Sequence, residues 1–251
     1  SKEIDKTYKS MAVGHAKPDG RIYIAAATRK AIDLYVFNGS SFTPEGSVGA
    51  EFDNIQNIEL ADLDGDGTDE LFVTEVKYTS VVRSSIFEFD GSSFKQLEKD
   101  MLYIFRTVLV KGEKKVVAQK LAVDGSYLGM VHSFIYINGK YDRGRAVTTS
   151  SEANIYGFGY SDLDDNGVSE VMHIDDRYKI NVYNGNAVKY TSVEEFGQTP
   201  YYFILENEIS DQMEISANEN LRDKGGVDPF MLERRKKYIK GRIFVNSENV
   251  V

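Results

Sequence analysis

Two acidic loops of the same pattern lie 100 residues apart, at Asp62–Glu70 and Asp162–Glu170, and both fit D-x-D-x-(D/N)-G-x-x-E. The first, third and fifth positions supply side-chain oxygens, and the glycine at the sixth permits a sharp turn. The seventh position offers a backbone carbonyl, and the glutamate at the ninth can close the ligand shell. Hard oxygen ligands in this number suit Ca²⁺ better than Mg²⁺, which requires a tighter octahedron and keeps its waters. We therefore predict two calcium-binding loops.

The segments on either side of each loop decide what kind of calcium loop this is. An EF-hand is disfavoured because it needs flanking helices and a bidentate glutamate at position twelve, where this chain has Val73 and His173. Ile58–Ala61 and Leu71–Val76 instead have strand composition. A solvated Asp/Gly turn is the plain alternative for a single loop, and the second copy with the same framing weakens it. Each loop is predicted to connect two strands.

Four hairpin signals recur at a nearly constant spacing. They are Asn38-Gly39, Asp90-Gly91, Asn138-Gly139 and Asn184-Gly185, which lie 52, 48 and 46 residues apart, each after a short apolar or aromatic run. Asn-Gly and Asp-Gly tolerate positive φ and are strong signals for β-hairpins. Four all-β units that each end in a hairpin predict the four-stranded blades of a β-propeller. A lone blade cannot bury both of its faces, so the blades must stack around an axis.

The predicted fold class is all-β, a β-propeller of four-stranded antiparallel blades in one domain over residues 1–251. About four blades are recognisable, together with part of a fifth. The predicted blades cover residues 10–50, 54–100, 101–150 and 153–205. Residues 206–236 break the rhythm and are expected to form an irregular insertion, after which 237–251 begins a last, partial blade.

The sequence allows three ways in which the ring of blades could end. The N-terminal residues could complete the last blade, the chain could be an incomplete ring or a fragment of a larger propeller, or another chain could supply the missing strands. An incomplete ring would leave an exposed strand edge that needs protection.

The loops between strands resemble the FG-GAP (or VCBS-type) repeats of the integrin α-subunit propeller and of many exported bacterial proteins. By period the resemblance covers about residues 10 to 200, and two of the repeats carry the full loop motif. The Gly157–Tyr160 segment is similar to the aromatic–glycine step of such repeats. The resemblance implies calcium ligands at positions one, three, five and nine and a main-chain oxygen at position seven. These are Asp62, Asp64, Asp66, Thr68 and Glu70 in the first loop, and Asp162, Asp164, Asn166, Val168 and Glu170 in the second.

The other two units depart from this pattern. Ala16–Arg21 occupies the place of the loop in the first unit and keeps one carboxylate. Val110–Lys115 in the third unit is a tight basic turn, whose lysines would repel a divalent cation. We predict no metal in either, which confines calcium to the second and fourth blades.

Composition limits the partners and the compartment. A net charge of −9 argues against nucleic acid and against an anionic membrane surface. No stretch approaches the ~20 apolar residues that span a bilayer. The absence of cysteine excludes disulfides and thiol chemistry. Extracellular calcium modules bind with Kd values of about 10⁻⁴–10⁻³ M, which cytosolic calcium would leave empty. We therefore expect an exported protein, located in the periplasm, at the cell surface or outside the cell, with a cytosolic origin as the alternative. Because the first residue is Ser1 and not Met, we interpret the chain as processed.

Catalytic motifs find little support. His15, His132 and His173 are isolated and fit no H-E-x-x-H spacing, and no nucleophile elbow, phosphate loop or dinucleotide fingerprint occurs. We expect a noncatalytic module that binds a protein partner or acts as a scaffold. A carbohydrate-binding, lectin-like propeller is the alternative, although tryptophan is absent and the blades diverge. A polysaccharide-degrading enzyme is a further alternative, and it would need a deep pocket of clustered ionisable residues.

Overall fold

The structure is a computed structural model, and it describes residues 6–195 apart from 40, 49, 78–80, 111, 123–125, 149–152 and 176. The chain divides into two compact units, Ser1–Leu205 and Glu206–Val251. The predicted insertion at 206–236 and the predicted last blade at 237–251 lie outside the described residues. Within the described ranges, none of the chain forms a helix with the length and apolar character that crossing a membrane would require.

Four antiparallel sheets follow one another along the first unit. The first contains β1 (Ser10–Gly14), β2 (Tyr23–Ala27), β3 (Ile32–Phe37) and β4 (Phe42–Ser47). The second contains β5 (Ile55–Ala61), β6 (Glu70–Lys77), β7 (Val81–Val82), β8 (Ser84–Phe89) and β9 (Phe94–Met101), with the short β7 paired to β6 beside the main ladder. The third contains β10 (Tyr103–Val110), β11 (Glu113–Leu121), β12 (Tyr127–Ile137) and β13 (Lys140–Ala146). The fourth contains β14 (Phe158–Ser161), β15 (Glu170–Ile174), β16 (Ile180–Asn184) and β17 (Ala187–Thr191).

Each sheet is a meander in which the main strands pair in chain order. The first strands of successive sheets lie beside one another: β1 beside β5, β5 beside β10, and β10 beside β14. Sheets that share a central side through their first strands are the blades of a propeller, with the first strand of each blade innermost. The predicted all-β propeller of four-stranded blades is therefore confirmed for four blades.

The four predicted hairpins connect the third and fourth main strands of each blade, but their turns differ. In the third blade both central residues have positive φ, 52° at Asn138 and 77° at Gly139, as a two-residue type I′ turn requires. In the other three only the glycine does, with φ of 88° at Gly39, 98° at Gly91 and 55° at Gly185. The turns of the first and second blades are longer, because the nearest paired residues are Phe37 with Phe42 and Phe89 with Phe94. In the fourth blade Asn184 pairs with Ala187, so the two-residue turn is Gly185–Asn186, one position later than predicted.

The hydrophobic core consists of layers between neighbouring blades. Strand β6 shows how the sequence builds them, since successive side chains of a strand point to opposite faces of its sheet. Leu71 and Val73 belong to the cluster shared with the first blade, whereas Phe72 belongs to the cluster shared with the third. All three are fully buried. A further cluster joins residues of the third and fourth blades.

Aromatic rings dominate the layer between the second and third blades. Phe105 of β10 contacts Phe134 of β12 and Phe72 of β6, with ring centroids 4.8 Å and 5.3 Å away, and both pairs are edge-on. Edge-on aromatic pairs contribute beyond the area that they bury. This layer lies directly beneath the first acidic loop, because Ala61, the last residue of β5, belongs to the same cluster.

Polar contacts also link the inner strands. Thr107 and Asn57 donate hydrogen bonds to the two carboxylate oxygens of Glu59, over 2.6 Å and 3.0 Å. Burial raises the pKa of Glu59, and these hydrogen bonds offset part of that rise. The Arg106 guanidinium donates to the carbonyl of Ile155 over 2.8 Å. Strands β5 and β10 and the segment before β14 are thus joined around the centre of the blades.

Candidate metal centres in the acidic loops

The first acidic loop joins the inner strand β5 to β6 of the second blade. The Asp62 carboxylate accepts hydrogen bonds from the backbone N–H groups of Gly65, over 2.7 Å, and Gly67, over 3.0 Å. Asp66 accepts one from the N–H of Thr68, over 2.7 Å. Gly67 has a φ of 90°, which only glycine adopts at little cost. The backbone therefore curls around its own carboxylates, as the sixth-position glycine predicts.

The carboxylates of the first loop are close enough to share one ion. One oxygen from each of Asp62, Asp64 and Asp66 lies within 4.8 Å of the others. Carboxylate oxygens are hard donors of the kind that Ca²⁺ takes in proteins. This group could hold a metal ion.

Glu70, at the ninth position, lies at the base of the first loop and is almost completely buried. Its carboxylate accepts hydrogen bonds from the N–H of Leu63, over 2.7 Å, and from the hydroxyl of Tyr141 on the third blade, over 2.6 Å. Burial raises its pKa to about 7 in spite of these hydrogen bonds, and the charge of Asp64 adds to the rise. Burying a carboxylate beside other carboxylates costs free energy, and a cation here would offset that cost.

The second loop, between β14 and β15, repeats the same hydrogen-bond pattern. Glu170 accepts from the N–H of Leu163 over 2.9 Å, and Asp162 accepts from the N–H of Gly167 over 2.8 Å. One oxygen from each of Asp162, Asp164 and Glu170 lies within 4.8 Å of the others. Each loop therefore has a group of carboxylates that could hold a metal ion; the second group includes the ninth-position glutamate, and the first is formed by the three aspartates.

The fifth and seventh positions also match between the loops. Asn166 accepts a hydrogen bond from the N–H of Val168 over 2.7 Å, as Asp66 does from Thr68. The Val168 side chain is exposed, whereas that of Thr68 is buried. Because the side chain at this position differs so widely, any contribution to a metal must come from the main chain. The predicted role of the Thr68 and Val168 carbonyl oxygens stays a prediction.

A lysine distinguishes the second loop from the first. The Lys189 ammonium, on β17 of the same blade, donates to Asp164 over 2.7 Å and to Glu170 over 2.8 Å. The hydrogen bond to Lys189 is the largest cause that lowers the pKa of both carboxyl groups. The corresponding groups of the first loop, Asp64 and Glu70, have raised pKa values. Neither Lys189 nor Tyr141 was predicted, because each reaches its loop from a strand distant in sequence.

The first blade has ion pairs where the acidic loops have clustered carboxylates. The Lys17 ammonium lies 2.9 Å from the Glu45 carboxylate of β4. Asp19 accepts hydrogen bonds from the Arg21 guanidinium, over 2.8 Å, and from the Tyr23 hydroxyl, over 2.7 Å. The single predicted carboxylate of this segment is therefore already engaged. The absence of metal here stays a prediction.

The basic turn of the third blade contacts the first and second blades. The Lys114 ammonium donates hydrogen bonds to the carbonyl oxygens of Val13, at the end of β1, and of Leu60, near the end of β5. It also lies 3.8 Å from the Asp69 carboxylate. The turn therefore presents an ammonium group to oxygen acceptors from two blades, which is the opposite charge arrangement from a cation-binding loop.

Asp69, at the eighth position of the first loop, ties that loop to the first blade. Its carboxylate accepts a hydrogen bond from the N–H of His15 over 2.9 Å, and its own N–H donates to the His15 carbonyl over 2.7 Å. A Cβ atom on the neighbouring Gly14 would lie 1.9 Å from the Asp69 Oδ2. The loop is thus part of the contact between blades, and a side chain at position 14 would have to displace the Asp69 carboxylate.

Comparison with known proteins agrees with this architecture. Residues 18–73 match the sequence profile of the FG-GAP-like repeat family. The matched range runs from the first blade through the first acidic loop into β6, and the second acidic loop lies beyond it. The protein is therefore a β-propeller in which residues 18–73 are similar to an FG-GAP-like repeat, the resemblance that the loop motif predicts.

One similar solved structure is that of the endo-arabinase from Bacteroides thetaiotaomicron VPI-5482. It is 13% identical, with a TM-score of 0.38, and the likeness covers 77% of this chain and 82% of that one. A likeness at this level carries no information about activity. No curated protein has significant sequence similarity to this chain.

Proposed function

We propose that this protein is a noncatalytic, calcium-binding β-propeller of an exported protein, which acts as a protein-binding or scaffold module. The observation that carries the calcium assignment is the group of Asp62, Asp64 and Asp66, whose oxygens lie within 4.8 Å of one another at a strand junction. An ion at this point would join the end of β5 to the start of β6. It would also neutralise carboxylates that otherwise repel one another.

Export follows from the affinity expected of such a loop. Three exposed aspartates on a short loop resemble the extracellular class of calcium modules, with Kd of about 10⁻⁴–10⁻³ M. Such a site fills only where calcium is abundant. The proposed compartment is therefore the periplasm, the cell surface or the extracellular space.

The surroundings of the histidines support a noncatalytic role. His173 is buried, and its ring stacks on Tyr183 with centroids 5.2 Å apart and planes 2° apart. His15 lies on the first blade and His132 on the third, and each has a ring nitrogen near a backbone carbonyl. His15 and His132 thus each have a backbone partner, whereas His173 is packed by ring stacking and neither of its ring nitrogens has a hydrogen-bond partner among the described residues.

The protein partner is proposed from the architecture. Propellers present loops from several blades on one face, and such loops are where binding residues concentrate. The same fold hosts many functions, and a pull-down with the intact protein would identify the partner.

Thermal unfolding tests the calcium assignment. The protein would be melted in excess EGTA and in millimolar Ca²⁺, with Asp64→Ala and Asp142→Ala as matched variants, since Asp142 is an exposed aspartate on β13 outside the loops. A ligand that binds only the native state at about a hundredfold excess over Kd adds about 2.7 kcal/mol. The melting temperature of the wild type and of Asp142→Ala should rise with Ca²⁺, and that of Asp64→Ala should rise less. Equal melting curves in EGTA and Ca²⁺ for the wild type would refute calcium binding.

Carbohydrate binding is a second candidate with one observation in its favour. A polar pocket of about 390 Å³ lies on the second blade, over the side chains of Phe52 and Phe87. Glu75, Lys77 and Gln96 are among the residues that line it, and such groups can hydrogen-bond sugar hydroxyls. A glycan array with the wild type and Gln96→Ala would test this candidate. Glycan cleavage in the same samples would overturn the noncatalytic assignment.

A further inference from the structure

Lys189 reaches the second acidic loop from a β-bulge. Val182 of β16 pairs with Tyr190, and Tyr183 pairs with Val188, which leaves Lys189 as the extra residue of β17. A bulge redirects the side chain of its extra residue. Here it places the Lys189 ammonium at hydrogen-bond distance from two carboxylates of the loop, as described above.

The second blade has the same bulge with a different residue. Ile86 of β8 pairs with Glu98, and Phe87 pairs with Gln96, so Leu97 is the extra residue. The two bulges are equivalent because the residue after the ninth-position glutamate pairs with the same neighbour in both blades, Leu71 with Phe87 and Val171 with Tyr183. Leu97 is half-buried against the cluster between the second and third blades. It has no charge to offer to the first loop.

The first blade has this bulge too, with the charges reversed. Leu34 pairs with Gly46 and Tyr35 with Pro44, which leaves Glu45 as the extra residue. Ile24 pairs with Tyr35, so the residue before Ile24, which is Tyr23, corresponds to the ninth loop position. Counting back from it, Lys17 stands at the third position, where the acidic loops have aspartate.

The same two positions therefore form an ion pair in two blades. In the first blade the pair is Lys17–Glu45, at 2.9 Å, and in the fourth it is Asp164–Lys189, at 2.7 Å. In the second blade the equivalent positions are occupied by Asp64 and the uncharged Leu97. Two of the three loops thus have a cation of their own at this point.

We propose that the residue at this bulge decides which cation occupies the loop. The second loop is a cation site that Lys189 already fills, so calcium enters it only by displacing the Lys189 ammonium. The first loop, with Leu97 at the bulge, takes calcium directly and fills first. This inference rests on the proposed calcium binding and adds an order of filling to it.

Competition for the same oxygens gives the physical reason. The Lys189 ammonium donates to Asp164 and Glu170, two of the three carboxylates of the second cluster. The Glu170 side chain is only 1% exposed, so bulk water cannot replace a lost partner there. A calcium ion and an ammonium beside it would also repel each other. Breaking two charge-assisted hydrogen bonds should weaken calcium binding about tenfold or more.

The test measures each loop separately. Asp64→Ala leaves the second loop intact and Asp164→Ala leaves the first, so calorimetric titration with Ca²⁺ in these backgrounds assigns each affinity. Adding Lys189→Leu to Asp64→Ala should tighten the second loop about tenfold or more. Adding Leu97→Lys to Asp164→Ala should weaken the first loop by a similar factor. Lys30→Leu, which removes an exposed lysine of the first blade, should change neither affinity.

Stability supplies a second readout, because Lys189→Leu also removes an ion pair. In EGTA this variant should melt below the wild type, and millimolar Ca²⁺ should restore most of the loss; Lys189→Met, which keeps the apolar stem, should behave alike. The inference would be overturned if calcium did not restore the lost melting temperature and the calcium affinity of the second loop were unchanged. In that case, calcium binding at the first loop would still support the proposed function. No calcium binding by either loop in any variant would overturn both.

Discussion

Gly14→Ala should destabilise the protein although it adds only one methyl group. Gly14 has no positive φ, so its backbone suits alanine, and the effect comes from space alone. The new Cβ would lie 1.9 Å from the Asp69 Oδ2 and 3.0 Å from the Leu60 Cβ. Asp69 can rotate away, but its carboxylate then loses the hydrogen bond from the His15 N–H.

The size of the effect follows from that lost contact. A hydrogen bond to a charged group contributes about 1.5–3 kcal/mol, and the tight contact with Leu60 adds to the cost. We expect the free energy of unfolding in urea to fall by about 2–3 kcal/mol with an unchanged m-value. Gly46→Ala is the matched control, because its Cβ would meet Phe89 at an ordinary 3.4 Å, and it should stay within about 0.5 kcal/mol of the wild type.

A double-mutant cycle separates this explanation from general strain in β1. In an Asp69→Ala background the carboxylate is gone, so Gly14→Ala should cost much less than it does alone. If its cost is the same in both backgrounds, or if Gly14→Ala alone is nearly neutral, the proposed contact between the first blade and the acidic loop is wrong.

Two further perturbations probe the layers between blades. Phe105→Ala removes the ring at the centre of the layer between the second and third blades. It should lower the free energy of unfolding by about 3–5 kcal/mol, and by the same amount in EGTA and in Ca²⁺. If calcium restored the lost stability, the packing of this layer would depend on the metal, contrary to expectation. Burial raises the pKa of Glu59, so the native state holds this proton more tightly than the unfolded chain does. The contribution of Glu59 to the stability of the fold therefore falls as the pH rises from below the pKa of the unfolded state to above the pKa of the native state. Glu59→Gln should therefore gain stability relative to the wild type as the pH rises above the ordinary range of a glutamate, in urea titrations with EGTA. A difference that stays constant with pH would show that Glu59 does not titrate in the range measured.

The conformation of the acidic loops could be predicted from the sequence, because the residues that determine it are close together in the chain. The carboxylates and glycines of each loop lie within nine residues, and the hydrogen bonds that Asp62 accepts from Gly65 and Gly67 are internal to the loop. The spacing of the hairpin signals likewise reflects turns that each connect two adjacent strands. Local chemistry of this kind is visible without knowledge of the tertiary contacts.

The partners of the loops could not be predicted, because they depend on strand register. Lys189 differs in no obvious way from the other lysines of the sequence, and only a one-residue bulge in β17 directs it to Asp164. Tyr141 reaches Glu70 from another blade, 71 positions along the chain. Bulges and blade packing are set by many weak contacts at once, so identical loop motifs can end in different electrostatic surroundings.

The two-sided burial of β6 has a consequence for how the protein unfolds. Leu71 and Val73 complete one layer and Phe72 the next, so the second blade cannot open without exposing apolar surface on both neighbours. Each blade contacts chiefly the blades before and after it, and stability in such arrays is close to a sum of unit and nearest-neighbour terms. The second and third blades should then be the last to unfold. Hydrogen exchange should therefore be slowest at the backbone amides of β6 and β10.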